Sequence, residues 1–228
     1  MNELIRAENL TKNYRLGESI VHALKNVSLT IVSGEFLSIM GPSGSGKTTL
    51  LNLLGALDLP TSGKVFLDDI NFTQVSEGKL YEVRRNKIGF IFQHFYLIPT
   101  LTTIENVLVP VIPIKNNKRF EDRAKSLLKT VGLEGREHHK PNQLSGGEQQ
   151  RTAICRALIN SPEVLFCDEI TGELDSTTAN KIISLLKEIN ENEGITVVFV
   201  THDPNVSSKC NRILTLKDGK ITSNRSKS

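Results

Sequence analysis

A chain of 228 residues, 38% of them hydrophobic, is long enough to bury a substantial core, either as one large α/β domain or as a core with a helical insertion, and needs no disulfide or metal staple. Its formal charge of +3 arises from 28 basic and 25 acidic residues spread along the chain, a balance that gives no argument for nucleic acid as a partner. The three cysteines, Cys155, Cys167 and Cys210, are widely spaced and form no Cys-x-x-Cys pair, which argues against a zinc site or a disulfide framework and fits a reducing compartment.

Residues 1–6 show no long apolar run after a basic start, and no later stretch approaches membrane-spanning length without charged or polar interruption. A cytosolic protein that meets a membrane only through a partner is expected. Residues 4–10 and 22–31 alternate apolar and polar side chains, predicting antiparallel strands that flank the core, with a turn around Leu16-Gly17-Glu18. Residues 36–40, 88–92, 164–167 and 196–200 are short apolar runs rich in Ile, Val and Phe, the pattern of buried parallel strands. Helical patterns alternate with them at 48–57 and at 176–191, where Ile182, Ile183, Leu185, Leu186 and Ile189 share a face before Gly194 ends the helix.

Between His94 and Asn160 the strand signals fade, and helices are predicted at 119–131 and 147–159, which reads as a compact helical subdomain inserted into the core. Runs at 213–216 and 220–222 bracket Lys217-Asp218-Gly219 and predict a hairpin. The polar residues 223–228 are expected to be disordered. The fold class is therefore α/β: a core of residues 1–93 and 161–222 with a mostly parallel sheet and an N-terminal antiparallel β part, and a helical subdomain over 94–160.

Directly after the strand at 36–40 stands Gly41-Pro42-Ser43-Gly44-Ser45-Gly46-Lys47-Thr48, followed by Thr49 at the start of a helix. A loop of this kind aims successive backbone N–H groups and a helix N-terminus at a polyphosphate, with Lys47 as a point charge and the Thr48 hydroxyl able to hold Mg²⁺. A nucleoside triphosphate is the expected ligand. The strand at 164–167 ends in Asp168-Glu169, which places two carboxylates at the carboxyl edge of a parallel sheet. Asp168 suits the Mg²⁺ complex through water, and Glu169 can polarise the water that attacks a γ-phosphate. His202 follows the strand at 196–200 at the same edge, where it could reach that phosphate and orient the nucleophile, with Asp203 holding its ring. Gln93 ends the strand at 88–92 and opens the insertion; its amide is a poor base but can report on Mg²⁺ or water.

The order of the phosphate loop, Gln93, Leu144-Ser145-Gly146-Gly147-Glu148-Gln149-Gln150-Arg151, Asp168-Glu169, Asp175 and His202 resembles the ATP-binding cassette family over essentially the whole chain. The resemblance implies that the ligands are ATP and Mg²⁺, and that Ser145 and Gly147, with Gly146 and Glu148 beside them, face the ATP held by the phosphate loop of a second subunit. A second glycine motif opening a helix is another anion-binding helix start, so two such elements on opposite sides of one triphosphate make ATP the adhesive of a head-to-tail dimer. It also assigns Tyr14 to stacking on adenine and Leu174-Asp175 to coupling across the dimer. Two residues depart from the family pattern: Ile170 replaces the usual Pro after the acidic pair, and Glu173 occupies a variable position. Neither removes a ligand or a base.

Within that family, the stretches Ile39 to Asn52, Arg84 to Gln93, and Leu97-Ile98-Pro99 to Glu105-Asn106-Val107 are similar to the branch of lipoprotein-release, macrolide-efflux and peptide-resistance ATPases. The branch implies a separate membrane permease, export or extrusion of cargo, and a place on the inner face of the cell membrane through that permease. Phe92, His94, Phe95 and Tyr96 are candidates for the groove that receives a permease helix. A non-transport cassette acting as an assembly scaffold or a cell-division regulator is the alternative. A chromosome-maintenance ATPase would need a long coiled coil that the span from Gln93 to Leu144 has no room for, and a simple phosphate-loop kinase would leave Leu144 to Arg151 without a purpose.

Overall fold

The structure, a computed structural model, describes residues 2–114 and 118–227. In chain order its elements begin with β1 (Glu3–Leu16), β2 (Ser19–Val32), β3 (Phe36–Met40), α1 (Lys47–Leu54), β4 (Ser62–Leu67), β5 (Ile70–Asn71), α2 (Glu77–Lys87) and β6 (Ile88–Phe92). The helical insert follows with α3 (Thr103–Leu108), α4 (Lys118–Thr130) and α5 (Gly146–Leu158). The chain then returns through β7 (Val164–Asp168), α6 (Ser176–Glu193), β8 (Thr196–Thr201), α7 (Pro204–Ser208), β9 (Arg212–Lys217) and β10 (Lys220–Ser226).

Two sheets result. The antiparallel one has the order β2-β1-β4-β5, and the larger one has the order β10-β9-β3-β8-β7-β6, in which only the β9–β10 pair is antiparallel. The central strands are apolar throughout because both their faces are covered. Alternate residues divide between two cores: Leu37, Ile39, Phe166, Val198 and Val200 pack with α1 and the antiparallel sheet, whereas Phe36, Leu165, Cys167, Val197 and Phe199 pack with α5, α6 and the rest of the insert. All three cysteines are free and buried. Burial pushes the Cys167 thiol well up and the Cys210 thiol up to about 12, which makes them poor nucleophiles.

Helix ends follow local chemistry. Asp175 caps α6 by accepting hydrogen bonds from the N–H groups of Thr177 and Thr178, and Gly194 ends it in the left-handed conformation at φ 69°. The turn between β9 and β10 consists of Asp218 and Gly219, at φ 49° and 77°, as a two-residue hairpin needs. The expected disorder of residues 223–228 is corrected for Ser223 to Ser226, which continue β10. Their order comes from backbone pairing, with Asn224 opposite Leu214 and Ser226 opposite Arg212, reinforced by Arg212 Nε donating to Asn224 Oδ1 at 2.7 Å. Ser228 lies outside the described residues.

Candidate functional site

The phosphate loop leaves β3 in the middle of the larger sheet and runs into α1. Lys47 is only 6% exposed, and its Nζ donates to the carbonyl oxygens of Gly41 at 2.9 Å and Pro42 at 3.0 Å, which fixes the ammonium inside the curl of the loop. Gly46 has φ 99°, and a Cβ there would stand 2.4 Å from the Ala23 carbonyl oxygen on β2. Only glycine lets the loop pass so close to β2. The loop is braced from the other side by the β9–β10 turn: Gly219 N–H donates to the Ser45 carbonyl at 3.1 Å, and Lys25 N–H donates to the Gly219 carbonyl at 2.8 Å. The Ser45 hydroxyl is buried and makes no hydrogen bond among the described residues.

The ends of β7 and β8 supply the acidic side. Asp168 pairs with Val200 and with Phe92 in register, so β6, β7 and β8 end level with one another. Thr48 Oγ1 reaches Asp168 Oδ1 at 3.4 Å. Burial first, and then repulsion from Glu169, push the Asp168 carboxyl above the usual carboxylate range, partly opposed by the Thr48 hydroxyl and the Lys47 charge. Glu169 turns out of the strand with φ 47°, a rare left-handed backbone for a non-glycine residue, while its N–H still donates to the Val200 carbonyl at 2.9 Å. Its Oε1 lies 3.3 Å from His202 Nδ1, so the two candidates for handling water are in contact. Asp203 does not hold the His202 ring: its carboxylate caps α7 by accepting from Asn205 N–H at 2.8 Å.

Gln93 packs against the segment after the acidic pair. A Cβ on Gly172 would stand 2.9 Å from Gln93 Nε2, so the amide lies flat on that glycine. One residue further, His94 Nδ1 contacts Glu173 Oε1 at 2.5 Å, giving the variable Glu173 a partner. Ile170, in place of the Pro expected from the family pattern, is 3% exposed and fills the core beneath this segment. Beyond Gln93, Phe92, Tyr96, Phe90, Arg84 and Arg156 line a groove of about 370 Å³. Tyr96 is 64% exposed and stacks edge-on against Phe92 at 5.5 Å, and Arg156 donates to the Tyr96 and Phe95 carbonyls.

The second glycine motif opens α5. Ser145 is its N-cap, accepting from Glu148 N–H, and the Glu148 carboxylate receives hydrogen bonds from Ser145 N–H at 2.8 Å and the Ser145 hydroxyl at 2.9 Å. These hydrogen bonds hold the Glu148 carboxyl below the ordinary range, with Arg136 Nε 3.4 Å away adding to the effect. Glu148, expected to face a nucleotide, is occupied with this capping box. Gly147 leaves room for Thr178, whose Cγ2 would stand 2.7 Å from an added Cβ. No hydrogen bond among the described residues joins Ser145, Gly146, Gly147 or Glu148 to the phosphate loop. The reason is topological: α1 packs in the core on one face of the large sheet and α5 in the core on the other.

Tyr14 stands near the end of β1, 37% exposed, and its hydroxyl donates to Asp58 Oδ2 at 2.9 Å. Lys12 Nζ donates to Asp58 Oδ1 at 2.6 Å and to the Leu59 carbonyl at 2.7 Å, and lies over the Tyr14 ring 5.0 Å from its centroid. Sequence reasoning missed Lys12, Asp58 and Arg136, and it placed Gly219 in the hairpin turn without its contact to the phosphate loop. Lys12, two residues before Tyr14 and hence on the same face of the strand, carried the one signal that could have been read.

The loop's converging N–H groups, the buried ammonium of Lys47, the unpartnered Ser45 hydroxyl and the hard oxygen pair of Thr48 and Asp168 fit a triphosphate with Mg²⁺. Comparisons with known proteins agree. The sequence model of a family described as "ABC transporter" matches residues 24–172. The chain is 52% identical to the uncharacterized ABC transporter ATP-binding protein MJ0796 of Methanocaldococcus jannaschii, over 96% of this chain and 95% of that protein. It is 46% identical to the macrolide export ATP-binding/permease protein MacB of Escherichia coli, over 97% of this chain and 34% of that protein. Among solved structures, the dimeric post-hydrolysis state of MJ0796 bound to ADP and Pi superimposes with a TM-score of 0.90 at 50% identity, covering 98% of each chain.

Proposed function

The chain belongs to the ABC transporter family, and from that membership we propose which of its residues hold ATP, which promote hydrolysis, and how it passes the work to a permease. It is an ATP-binding and ATP-hydrolysing subunit of an ABC transporter and works as a dimer. The observation that carries the residue assignments is the placement of the two glycine motifs on opposite faces of the sheet. No hydrogen bond among the described residues joins Ser145 or Gly147 to the phosphate loop of their own chain, and a second copy would present them.

In this reading the backbone of Gly41 to Thr48 and Lys47 grip the β- and γ-phosphates, and Thr49 extends the grip into α1. Thr48 and Asp168 would hold Mg²⁺, the latter through water. When bound, the ion would offset the negative charge of the phosphate oxygens. Glu169 accepts hydrogen bonds from the attacking water and aims its lone pair at the γ-phosphorus. His202, 3.3 Å away, keeps that carboxylate in place and lies within reach of the departing phosphate. Gln93 senses the same site through its contact with Gly172, and Tyr14 stacks on the adenine.

Loss of the γ-phosphate removes the ligand shared by the two copies and lets them part. The groove beside Gln93 is where a permease segment would feel that motion, since Phe92 and Tyr96 line it and the neighbouring His94 is tied to Glu173 in the catalytic loop. No helix among the described residues is long and apolar enough to cross a membrane. The membrane-spanning part of the transporter is the permease, and through it the cassette sits on the inner face of the membrane. The relatedness to macrolide export proteins favours export over uptake.

The test is the Glu169→Gln variant with Mg·ATP, followed by size-exclusion chromatography. A stable dimer that hydrolyses at least about 100-fold more slowly is expected. A monomer with normal turnover removes the assignment. Recovery of a multi-span membrane protein with the tagged chain supports the permease, and recovery of soluble partners alone counts against it.

A further inference from the structure

The contacts around Tyr14 form a small closed network that the hydrolysis mechanism does not use. Lys12, at 13% side-chain exposure, is anchored at both Asp58 Oδ1 and the Leu59 carbonyl, and its Nζ sits over the Tyr14 ring. The phenol donates to the second oxygen of the same carboxylate. Asp58 also accepts from Leu59 N–H at 2.7 Å, which pins the carboxylate to the loop after α1. Burial alone would raise the Asp58 carboxyl, but the hydrogen bonds from Lys12, Tyr14 and Leu59 N–H outweigh it and hold the group in its charged form.

We propose that Lys12 and Asp58 are positioning residues that lock the Tyr14 ring as a preset base platform, so that the stacking of the nucleotide's base is set by a carboxylate and an ammonium that never touch the nucleotide. The proposal rests on the reading of Tyr14 as the adenine platform. Its physical basis is pre-organisation. A tyrosine at the tip of a long hairpin has free rotation about two side-chain bonds, and a base that stacks on it must first freeze that motion. The carboxylate fixes the hydroxyl end of the ring and the ammonium covers one face, while the residue stays 37% exposed, leaving surface on which a base can stack. Because the clamp is anchored at Leu59, in the loop that follows α1, it also holds the platform at a fixed offset from the phosphate loop that opens the same helix. A base and its triphosphate then meet a site whose two halves are already in register.

The experiment measures affinity for Mg·ATP and for Mg·tripolyphosphate, which has no base, by calorimetry on the intact protein. Tyr14→Ala is expected to weaken ATP by about tenfold, in line with base–aromatic stacking, and to leave tripolyphosphate unchanged. Lys12→Met and Asp58→Asn, the latter keeping an acceptor for Leu59 N–H, should each weaken ATP about threefold with tripolyphosphate unchanged. Neither should add to the loss in a Tyr14→Ala background. Selective losses that vanish in that background support the clamp. If Tyr14→Ala acts selectively on ATP but Lys12→Met and Asp58→Asn leave ATP binding as it was, or weaken both ligands equally, the clamp is refuted and the platform stands. If Tyr14→Ala fails to separate the two ligands, the platform reading is refuted and the clamp falls with it.

Discussion

Thr48 Oγ1 and Asp168 Oδ1 lie 3.4 Å apart although 120 residues separate them in sequence. The contact brings the first residues of α1 to the end of β7 and gives the site two hard oxygens for a cation. It has an energetic cost, because the Asp168 carboxyl is partly buried and repelled by Glu169.

That cost gives the first prediction. The folded state holds the Asp168 proton to higher pH than the unfolded chain does, so as pH rises through this interval the unfolded state loses its proton first and stability falls. Asp168→Asn should therefore raise the melting temperature of the nucleotide-free protein at neutral pH. The gain should disappear below pH ~4, where the carboxyl is protonated in both states. The same variant should lose Mg²⁺-dependent ATP hydrolysis, a trade of function for stability that calorimetry and a phosphate-release assay can follow together.

His202→Ala leaves Glu169 without its neighbour at 3.3 Å. Turnover is expected to fall by about 100-fold, the usual effect of a misplaced catalytic group, while the ATP concentration at half-maximal rate changes less than about twofold. A parallel loss of ATP affinity would mean that His202 belongs to the binding contacts instead.

Ser145 caps α5, and Ser145→Ala should cost ~1 kcal/mol of stability by removing the acceptor for Glu148 N–H. Glu148→Gln preserves the capping geometry and removes a negative charge beside the helix start. In a Glu169→Gln background it should lower the ATP concentration needed for half-maximal dimerisation several-fold, measured by light scattering, because a triphosphate approaching α5 no longer meets that carboxylate.

Gly219 has φ 77°, and a Cβ there would lie 2.8 Å from the Ala23 carbonyl oxygen. Gly219→Ala should destabilise the fold by ~1–3 kcal/mol. It should also weaken ATP binding disproportionately, since Gly219 N–H braces the Ser45 carbonyl in the phosphate loop. Chemical denaturation and nucleotide titration separate the two effects.

The parallel strands and their polar ends were legible because a strand covered on both faces leaves a continuous apolar run, and because ligating residues follow directly on it. Val164–Asp168 and Thr196–Thr201 show this plainly. The short strands Ser62–Leu67 and Ile70–Asn71 left no such trace: β4 gains its order by pairing with β1, more than fifty residues earlier, and β5 by pairing with β4. Ser223 to Ser226 were misread for the same reason, since backbone pairing needs no apolar side chain. At the site, the motifs marked the groups that would meet ATP, while the supports behind them stayed hidden. Asp58 acts through contacts to Lys12 and Tyr14, more than forty residues earlier, whose geometry depends on the folded chain and which no spacing announces.

The hairpin turn at Asp218 and Gly219 also bears on how the protein comes into being. The phosphate loop leaves the ribosome well before its brace, which arrives about 170 residues later with Gly219. A nascent or truncated chain ending before that turn carries every residue of the loop without the backbone that steadies it. Nucleotide capture thus becomes available only once the β9–β10 hairpin has been made, and tight ATP binding serves as a readout that this hairpin has found its place.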